Sequence, residues 1–156
     1  MNEKIKLLLL DCDGVLTDGR LYFSASGEEL KVFDVQDGQG IVAWIREGNL
    51  VGIISGRSSP IVERRAAELG IQFVRQGARN KLDLAKEIWA ETGIDPTATA
   101  FVGDDTPDIE LMQACGLGIA VANAVREVKE IADRLTTRSG GRGAVREVVD
   151  LLLNGD

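Results

Sequence analysis

Short, almost continuously apolar runs alternate along the chain with longer segments that carry apolar residues at helical spacing. Gly, Asp or Asn bounds each run, as expected for strands buried on both faces of a parallel sheet. The predicted strands cover residues 5–10, 50–55, 71–74, 98–103 and 117–121. The predicted amphipathic helices cover residues 39–47, 59–69, 80–92, 107–114, 124–132 and 143–153. This alternation predicts an α/β fold, a doubly wound, Rossmann-like and mostly parallel sheet of about five strands flanked by helices.

One segment interrupts the alternation. Residues 20–33 contain two strand-like arms around Ser24–Gly27, and this arrangement predicts a β-hairpin. The other connections are short, so no insertion is long enough to form a cap domain. We therefore expect residues 1–156 to form a single domain.

Composition narrows the possible functions. The formal net charge of -7 argues against a nucleic-acid partner, because such proteins need a basic surface. There is no leader-like start and no apolar run of the ~18 residues that a membrane span needs, so we expect a cytoplasmic protein with no membrane contact. Histidine is absent, so acid–base chemistry must use carboxylates or lysine. Cys12 lies between two aspartates, which should raise its pKa and keep the thiol inert.

Polar residues follow the apolar runs where each predicted strand ends. They are Asp11 and Asp13 after the first run, Ser55, Gly56 and Arg57 after the second, and Asp104, Asp105 and Asp108 after the fourth, with Lys81 at the start of the helix after the third. In open α/β sheets, ligands bind beyond the carboxyl ends of the strands. The pattern therefore predicts one site built from four separate segments.

The clustered aspartates predict a metal ion. A single aspartate at a strand end often caps a helix or forms a turn, and Asp18 and Asp37, each followed by glycine, fit that role. This explanation does not fit the aspartates after the first and fourth runs, because carboxylates gathered in a partly dehydrated cleft repel one another. Oxygen ligands without histidine or a cysteine pair favour Mg²⁺ over zinc.

A Mg²⁺ site beside a strand-end aspartate suits phosphoryl transfer. Asp11 is the predicted nucleophile, which forms an aspartyl-phosphate. Asp13 is the predicted general acid for the leaving alkoxide and then the general base for water. The predicted metal ligands are Asp11, Asp13 through its backbone carbonyl, and Asp104. Gly14 would let the chain turn sharply so that both side chains face one pocket.

The remaining strand-end residues would complete the site. Ser55 and Gly56 can donate hydrogen bonds to phosphoryl oxygens, and Lys81 supplies a fixed positive charge. We expect Asp105 and Asp108 to orient waters and Lys81.

The motifs resemble those of a known superfamily. DCDGVLTDG (11–19), ISGRSS (54–59), Lys81 and VGDDTPD (102–108) resemble the four motifs of the haloacid dehalogenase superfamily of phosphohydrolases. Residues 18–41, 55–71 and 139–153 resemble, more narrowly, the capless phosphatases of 3-deoxy-D-manno-octulosonate 8-phosphate. The resemblance covers nearly the whole chain.

The resemblance implies a fold without a cap domain and a Mg²⁺-dependent hydrolysis that yields the free sugar acid and phosphate for lipopolysaccharide synthesis. It also implies a homotetramer in which the hairpin at 20–33 closes a neighbour's active site. Residues 140–147 match a segment that would reach into a neighbouring site. The substrate contacts that it implies are Arg57, Arg65, Asp37, Gly38 and Arg142.

One departure and several alternatives stay open. Where this family has a basic residue directly before the Asp-Gly pair, the chain has Gln36, which bears on the sugar specificity. A phosphatase of a nine-carbon sugar-acid 9-phosphate is therefore an alternative, although Arg57 favours the eight-carbon substrate. A non-catalytic regulatory module associated with a sugar-nucleotide synthetase would more readily lack Asp11 or Asp13. A phosphoacceptor domain would lack the second aspartate of the pair.

Overall fold

The computed structural model describes residues 4–155 and contains a six-stranded parallel sheet. Its strands are β1 (Leu7–Leu10), β4 (Leu50–Ile54), β5 (Phe73–Arg75), β6 (Thr99–Gly103), β7 (Leu117–Ala120) and β8 (Arg134–Leu135). A separate antiparallel hairpin is formed by β2 (Tyr22–Phe23) and β3 (Glu29–Leu30). The helices are α1 (Val35–Arg46), α2 (Pro60–Leu69), α3 (Lys81–Thr92), α4 (Ile109–Ala114), α5 (Arg126–Ile131) and α6 (Ala144–Asn154).

Strand β1 lies inside the sheet, in the order β5-β4-β1-β6-β7-β8. Its four leucines are fully buried, as expected for a strand covered by helices on both faces. The parallel register pairs Leu10 with Ile53 of β4 and with Val102 of β6. The three strands therefore end at the same level, and the residues that follow them meet at one edge of the sheet.

The predicted fold class is confirmed, with differences at the edges of the sheet. The sixth strand, β8, was not predicted, because it has only two exposed residues and no apolar run. It becomes a strand by pairing with β7, in the register Ile119 with Arg134. Strand β5 covers residues 73–75, two residues later than the predicted start at 71.

Helix α1 begins four residues before its predicted start at residue 39. Asp34 caps it by accepting a hydrogen bond from the Gln36 backbone N–H. The added turn contains Gly38, and Gly40 follows in the next turn. A Cβ on Gly40 would lie 3.0 Å from the Arg146 side chain on α6, so this glycine permits the close packing of α1 on α6.

The predicted hairpin is confirmed and carries exposed apolar side chains. Leu21, Phe23 and Leu30 are each more than half exposed. Residues 4–155 contain no inserted cap domain and no helix long and apolar enough to cross a membrane. Residues 1–3 and residue 156 lie outside the described residues. Part of the expectation of no leader segment concerns residues 1–3.

Candidate active site

Three of the four predicted segments meet around Lys81. Asn80 caps helix α3, so Lys81 is the first residue of that helix, as the sequence predicts. Its Nζ lies 3.0 Å from Asp11 Oδ1 and 2.6 Å from Asp108 Oδ1. All three side chains are less than a tenth exposed. The helix thereby holds one cation between the carboxylates that follow β1 and β6.

The carboxylates at this edge outnumber the cation beside them. Burial, together with the nearby Asp108, raises the pKa of Asp11 to about 6. Burial and contact with Asp11 raise the pKa of Asp104 to about 9. Although burial lowers the pKa of Lys81, Asp11 and Asp108 raise it above its usual value. A further positive charge would remove the remaining repulsion.

The same carboxylates have the spacing of a metal site. Oxygen atoms of Asp11, Asp104 and Asp108 lie within 4.8 Å of one another. Asp108 is already occupied, since Lys81 binds its Oδ1 and the backbone N–H groups of Asp104 and Asp105 bind its Oδ2 at 2.9 and 3.2 Å. Asp11 and Asp104 are therefore the side chains that can hold a cation, and an all-oxygen site suits Mg²⁺.

Gly14 makes room for this cluster. Its φ of 92° is in the left-handed region that favours glycine, and a Cβ would lie 1.8 Å from Asp104 Oδ2. Any side chain at this position would displace the Asp104 carboxylate. The glycine of the first motif is thus required for the position of an aspartate in the fourth.

Thr17 and Asn123 also hold the backbone of the turn after β1. Neither was predicted from the sequence as a site residue. Thr17 Oγ1 accepts hydrogen bonds from the N–H groups of Gly14 and Gly19. Asn123 donates to the Gly14 carbonyl at 3.0 Å and accepts from the Gly140 N–H at 2.7 Å. The threonine of the first motif was the only signal for these contacts.

Asp13 is bound by Lys31, which was not predicted from the sequence as a site residue. Lys31, which directly follows β3, places its Nζ 2.7 Å from Asp13 Oδ1 and 2.8 Å from Glu29 Oε1. Glu29 Oε2 in turn lies 3.2 Å from Arg57 Nη2. These four residues form what we call the hairpin ion-pair chain. No strand-end signal marks Lys31, because it lies on the hairpin.

Ser55 and Gly56 directly follow β4, and Arg57 comes next along the chain. Ser55 is buried, and its Oγ accepts a hydrogen bond from the Arg57 N–H at 3.3 Å. Gly56 and Lys81 line a cavity of about 380 Å³, whose wall also includes Arg79. Arg79 and Lys81 therefore border this cavity together with Gly56, and Glu110 lies in the same wall.

The two acidic residues Asp105 and Asp108, which were predicted together to orient waters and Lys81, have different contacts. Asp108 contacts Lys81, as that prediction allows. Asp105 caps the 3₁₀ turn Thr106–Asp108 by accepting a hydrogen bond from the Thr106 N–H. The exposed Asp105 is therefore a structural cap in this chain, and its predicted role toward water stays a prediction.

The predicted substrate arginines lie on three separate segments, namely the loop after β4, helix α2 and the turn before α6. Arg57 has a side chain that is 44% exposed and contacts Glu29. Arg65, on α2, places its guanidinium 5.6 Å from the ring centroid of Phe33. Arg142 is exposed and close enough to Asp18 to help lower its pKa, after the larger contributions of the hydrogen bonds from Tyr22 and Arg20.

Asp37 and Gly38 lie in the first turn of α1 and are buried. The Arg146 backbone N–H donates to Asp37 Oδ1 at 2.9 Å, so this carboxylate caps helix α6. Asp37 is therefore not in a simple turn before glycine. Its predicted contact with substrate stays a prediction.

Cys12 is fully buried, and burial followed by the charge of Asp13 raises its pKa to about 12. Both observations support the prediction that this thiol is inert, which stays a prediction.

Comparison with known proteins agrees with this geometry. Residues 65–148 match the model of the haloacid dehalogenase-like hydrolases. The chain is 48% identical over 151 residues to the 3-deoxy-D-manno-octulosonate 8-phosphate phosphatase of Escherichia coli (strain K12), covering 97% of the chain and 80% of that relative. Its counterpart in Haemophilus influenzae is 41% identical, with 97% of the chain and 84% of the relative covered.

Solved structures show the same fold. The 3-deoxy-D-manno-octulosonate 8-phosphate phosphatase of Moraxella catarrhalis, in complex with magnesium ion, phosphate ion and KDO, superposes with a TM-score of 0.95 at 42% identity. That match covers 97% of this chain and 87% of the other. The resemblance inferred from the motifs is confirmed: the chain belongs to the haloacid dehalogenase-like hydrolases, within the family of the 3-deoxy-D-manno-octulosonate 8-phosphate phosphatases.

Proposed function

We propose that this chain is a Mg²⁺-dependent phosphatase that hydrolyses 3-deoxy-D-manno-octulosonate 8-phosphate to the free sugar acid and inorganic phosphate. The observation that carries the proposal is the buried contact of Lys81 with Asp11 and Asp108, beside Asp104. Family relatives with 41–48% identity support the substrate. This reaction would serve lipopolysaccharide precursor synthesis.

In the first step, a carboxylate oxygen of Asp11 attacks phosphorus and forms an acyl-phosphate bond. The bond between phosphorus and the sugar oxygen breaks, and Asp13 gives its proton to the leaving oxygen. Lys81 holds Asp11 Oδ1 at 3.0 Å, and the Cys12 N–H holds the same oxygen at 2.8 Å. The nucleophile is therefore oriented by two donors before substrate arrives.

In the second step, water attacks the same phosphorus and gives a proton to Asp13. The acyl-phosphate bond breaks, which restores the Asp11 carboxylate and releases inorganic phosphate. Ser55 and the backbone of Gly56 bind phosphoryl oxygens, and Lys81 adds positive charge beside them. Each residue thus returns to its starting protonation state.

Asp11 and Asp104, with the backbone carbonyl of Asp13, would hold Mg²⁺. When bound, the ion neutralises phosphoryl charge and fixes the phosphate against the nucleophile. The raised pKa values of Asp11 and Asp104 support this assignment, because both carboxylates need a cation in order to remain ionised together.

The sugar specificity depends on cations near the substrate carboxylate. Gln36 stands where the family has a basic residue, but Arg138 Nη1 lies 3.3 Å from Gln36 Oε1. The guanidinium of Arg138 therefore supplies positive charge next to the position that lacks it. With Arg57, Arg65 and Arg142 as further contacts, this charge supports the eight-carbon acid as substrate.

The test is phosphate release, with Mg²⁺ or with EDTA, from the octulosonate 8-phosphate, nonulosonate 9-phosphates and hexose phosphates. We expect Mg²⁺-dependent release with the highest kcat/KM for the eight-carbon acid. Preference for a nine-carbon acid would keep the chemistry and overturn the substrate. No release from any of these compounds would favour the regulatory module.

We also propose that the protein acts in the cytoplasm as a homotetramer. Cys12 and Cys115 are both free thiols, as is usual in reducing compartments. The exposed apolar side chains of the hairpin support an interface with neighbouring subunits. Light scattering should give a tetramer mass, and Leu30→Lys should lower this mass, whereas Leu153→Lys on α6 should leave it unchanged.

A further inference from the structure

The hairpin sends one charged side chain into the active site of its own subunit. The Lys31 side chain is only 5% exposed, although β2 and β3 are mostly exposed. Its Nζ contacts Asp13 Oδ1 and Glu29 Oε1, at 2.7 and 2.8 Å. Both carboxylates are about a fifth exposed, so the ion pairs lie at the boundary between the hairpin and the body of the domain.

The contacts continue across the mouth of the site. Glu29 links Lys31 to Arg57, and Arg57 directly follows Ser55 and Gly56 at the end of β4. The hairpin ion-pair chain therefore ties the segment after β1 to the segment after β4. A buried ion pair gives little net stability, because desolvation offsets much of the attraction between its charges. Its geometry is thus better explained by a need to place Asp13.

We propose that Lys31 is a positioning residue, which holds the Asp13 carboxylate where it can exchange protons with the leaving oxygen and with water. This inference rests on the proposed function, in which Asp13 serves both steps. The hairpin then acts within its own subunit, in addition to the contact with a neighbour that the family resemblance implies.

The position of the Asp13 carboxylate depends on a contact from the hairpin, whereas the position of the Asp11 carboxylate does not. Asp11 Oδ1 is held by Lys81 and by the Cys12 N–H, both from the body of the domain. Asp13 is held by Lys31 from a hairpin of two-residue strands. A displacement of about 1 Å at a reacting group costs up to about 100-fold in rate. Loss of Lys31 should therefore slow the steps that use Asp13 and spare the attack by Asp11.

The experiment compares Lys31→Met with Lys31→Arg, and with Lys86→Met, an exposed lysine on α3, as the matched control. For the octulosonate 8-phosphate, Lys31→Met should lower kcat about 10- to 100-fold and change KM less than about 3-fold. Lys31→Arg keeps a cation and should recover much of the rate. Lys86→Met should behave as the wild type.

The decisive measurement is rapid mixing with p-nitrophenyl phosphate, because nitrophenolate leaves without needing a proton. Lys31→Met should form the aspartyl-phosphate at the wild-type rate and hydrolyse it slowly. The result would be a burst of about one nitrophenolate per site and an accumulated phosphoenzyme. Asp13→Asn should show the same burst more strongly. A merely structural role would slow both steps and produce no burst.

Four outcomes would overturn the inference. One is an unchanged kcat in Lys31→Met, and another is an equal loss in both steps. If Lys31→Met does not fold, Glu29→Gln takes its place, since it removes the second partner of Lys31 and should give a smaller burst; no burst there would contradict the proposal. If the wild type hydrolyses no phosphate ester, the proposed function fails, and this inference fails with it.

Discussion

Two lysines hold the two aspartates of the first motif, and they do so from very different parts of the molecule. Lys81 lies at the start of α3, and its contacts with Asp11 and Asp108 involve side chains that are at most 9% exposed. Lys31 lies beside a two-stranded hairpin, and its partner Asp13 is 22% exposed. The proposed nucleophile, Asp11, is therefore held by the core of the domain, and the proposed acid–base group, Asp13, by a peripheral element.

The contacts of the two lysines should differ in how easily they open. The contacts of Lys81 can be lost only if the sheet or α3 opens. The contact of Lys31 can be lost when the hairpin moves, and elements with few buried contacts open at lower free energy. A substrate that enters past the hairpin would thus meet a fixed nucleophile and a more adjustable proton donor.

The largest expected effect is on kcat and comes from a change at Asp11, which the core of the domain holds. Asp11→Asn should lower kcat at least about 10⁴-fold, because an amide cannot form the acyl-phosphate. The fold should persist, since the change is isosteric and removes one of several crowded charges. Phosphate release and circular dichroism check these expectations, with the exposed Asp83→Asn on α3 as control. Substantial Mg²⁺-dependent turnover in Asp11→Asn would exclude Asp11 as the nucleophile.

Lys81→Met should sharpen the contrast between the two lysines. Removal of one partner from a buried ion pair costs about 3–5 kcal/mol, because the other charges stay buried and uncompensated. Lys31→Met leaves Asp13 and Glu29, which are about a fifth exposed and can be solvated, so it should cost clearly less. Urea unfolding of both variants without metal measures the difference in the free energy of unfolding. Equal losses would show that the hairpin contact is as much a part of the core as α3.

The pH dependence of the free energy of unfolding tests the protonation of the Asp11 and Asp104 carboxylates. In metal-free protein, folding raises the pKa of Asp11 to about 6 and that of Asp104 to about 9, from 3.8. The folded state then binds more protons than the unfolded state, so stability is greatest below about pH 4 for these groups and falls as pH rises toward 9. Buried Asp37, whose pKa is raised to about 6 by burial, acts in the same direction below that pH.

Urea unfolding at pH 5.5 and 8.5, with EDTA or with Mg²⁺, tests this expectation. The stabilisation by Mg²⁺ should be greater at pH 8.5, where the metal replaces the missing positive charge. An Asp104→Asn variant should lose most of the pH dependence. Equal stabilisation by Mg²⁺ at both pH values would argue against a metal held by these carboxylates.

The smallest expected effect is on the KM of a variant of Arg142, an exposed residue that is a proposed substrate contact. Arg142→Gln should raise KM for the octulosonate 8-phosphate about 5- to 10-fold, as expected for one lost charge-assisted hydrogen bond. The value of kcat should change little. Arg126→Gln, at a side chain that is 86% exposed, is the matched control. Truncation before Gly140 is a poor test, because it would remove Val145 and Val148 of α6 from the core.

Much of the site was predictable because its residues follow strands. An apolar strand that ends in a carboxylate is a local signal, and parallel pairing then brings such ends together. Asp11 and Asp104 were predicted in this way, and Lys81 was predicted at the start of the helix after the third strand. Lys31 was not, because its pairing with Asp13 joins residues 18 positions apart through a hairpin whose docking no periodicity reveals.

The fold shows the same division. The long apolar strands were predicted, whereas β8 exists only through its pairing with β7. The role of Asp37 depends on the Arg146 N–H, which is 109 positions away. Local chemistry also did not distinguish Asp105 from Asp108, and only the packing against α3 showed which of them contacts Lys81.

The sequence by itself determined the order of the long apolar strands and of the helices, the edge of the sheet at which the polar residues gather, and the family. These follow from side-chain periodicity and from residue types at strand ends, both of which are local. The tertiary structure decided which cation serves which aspartate, that Gly14 makes room for Asp104, and that the hairpin serves its own active site. Those choices depend on distances between segments far apart along the chain, which are set only when the segments pack together.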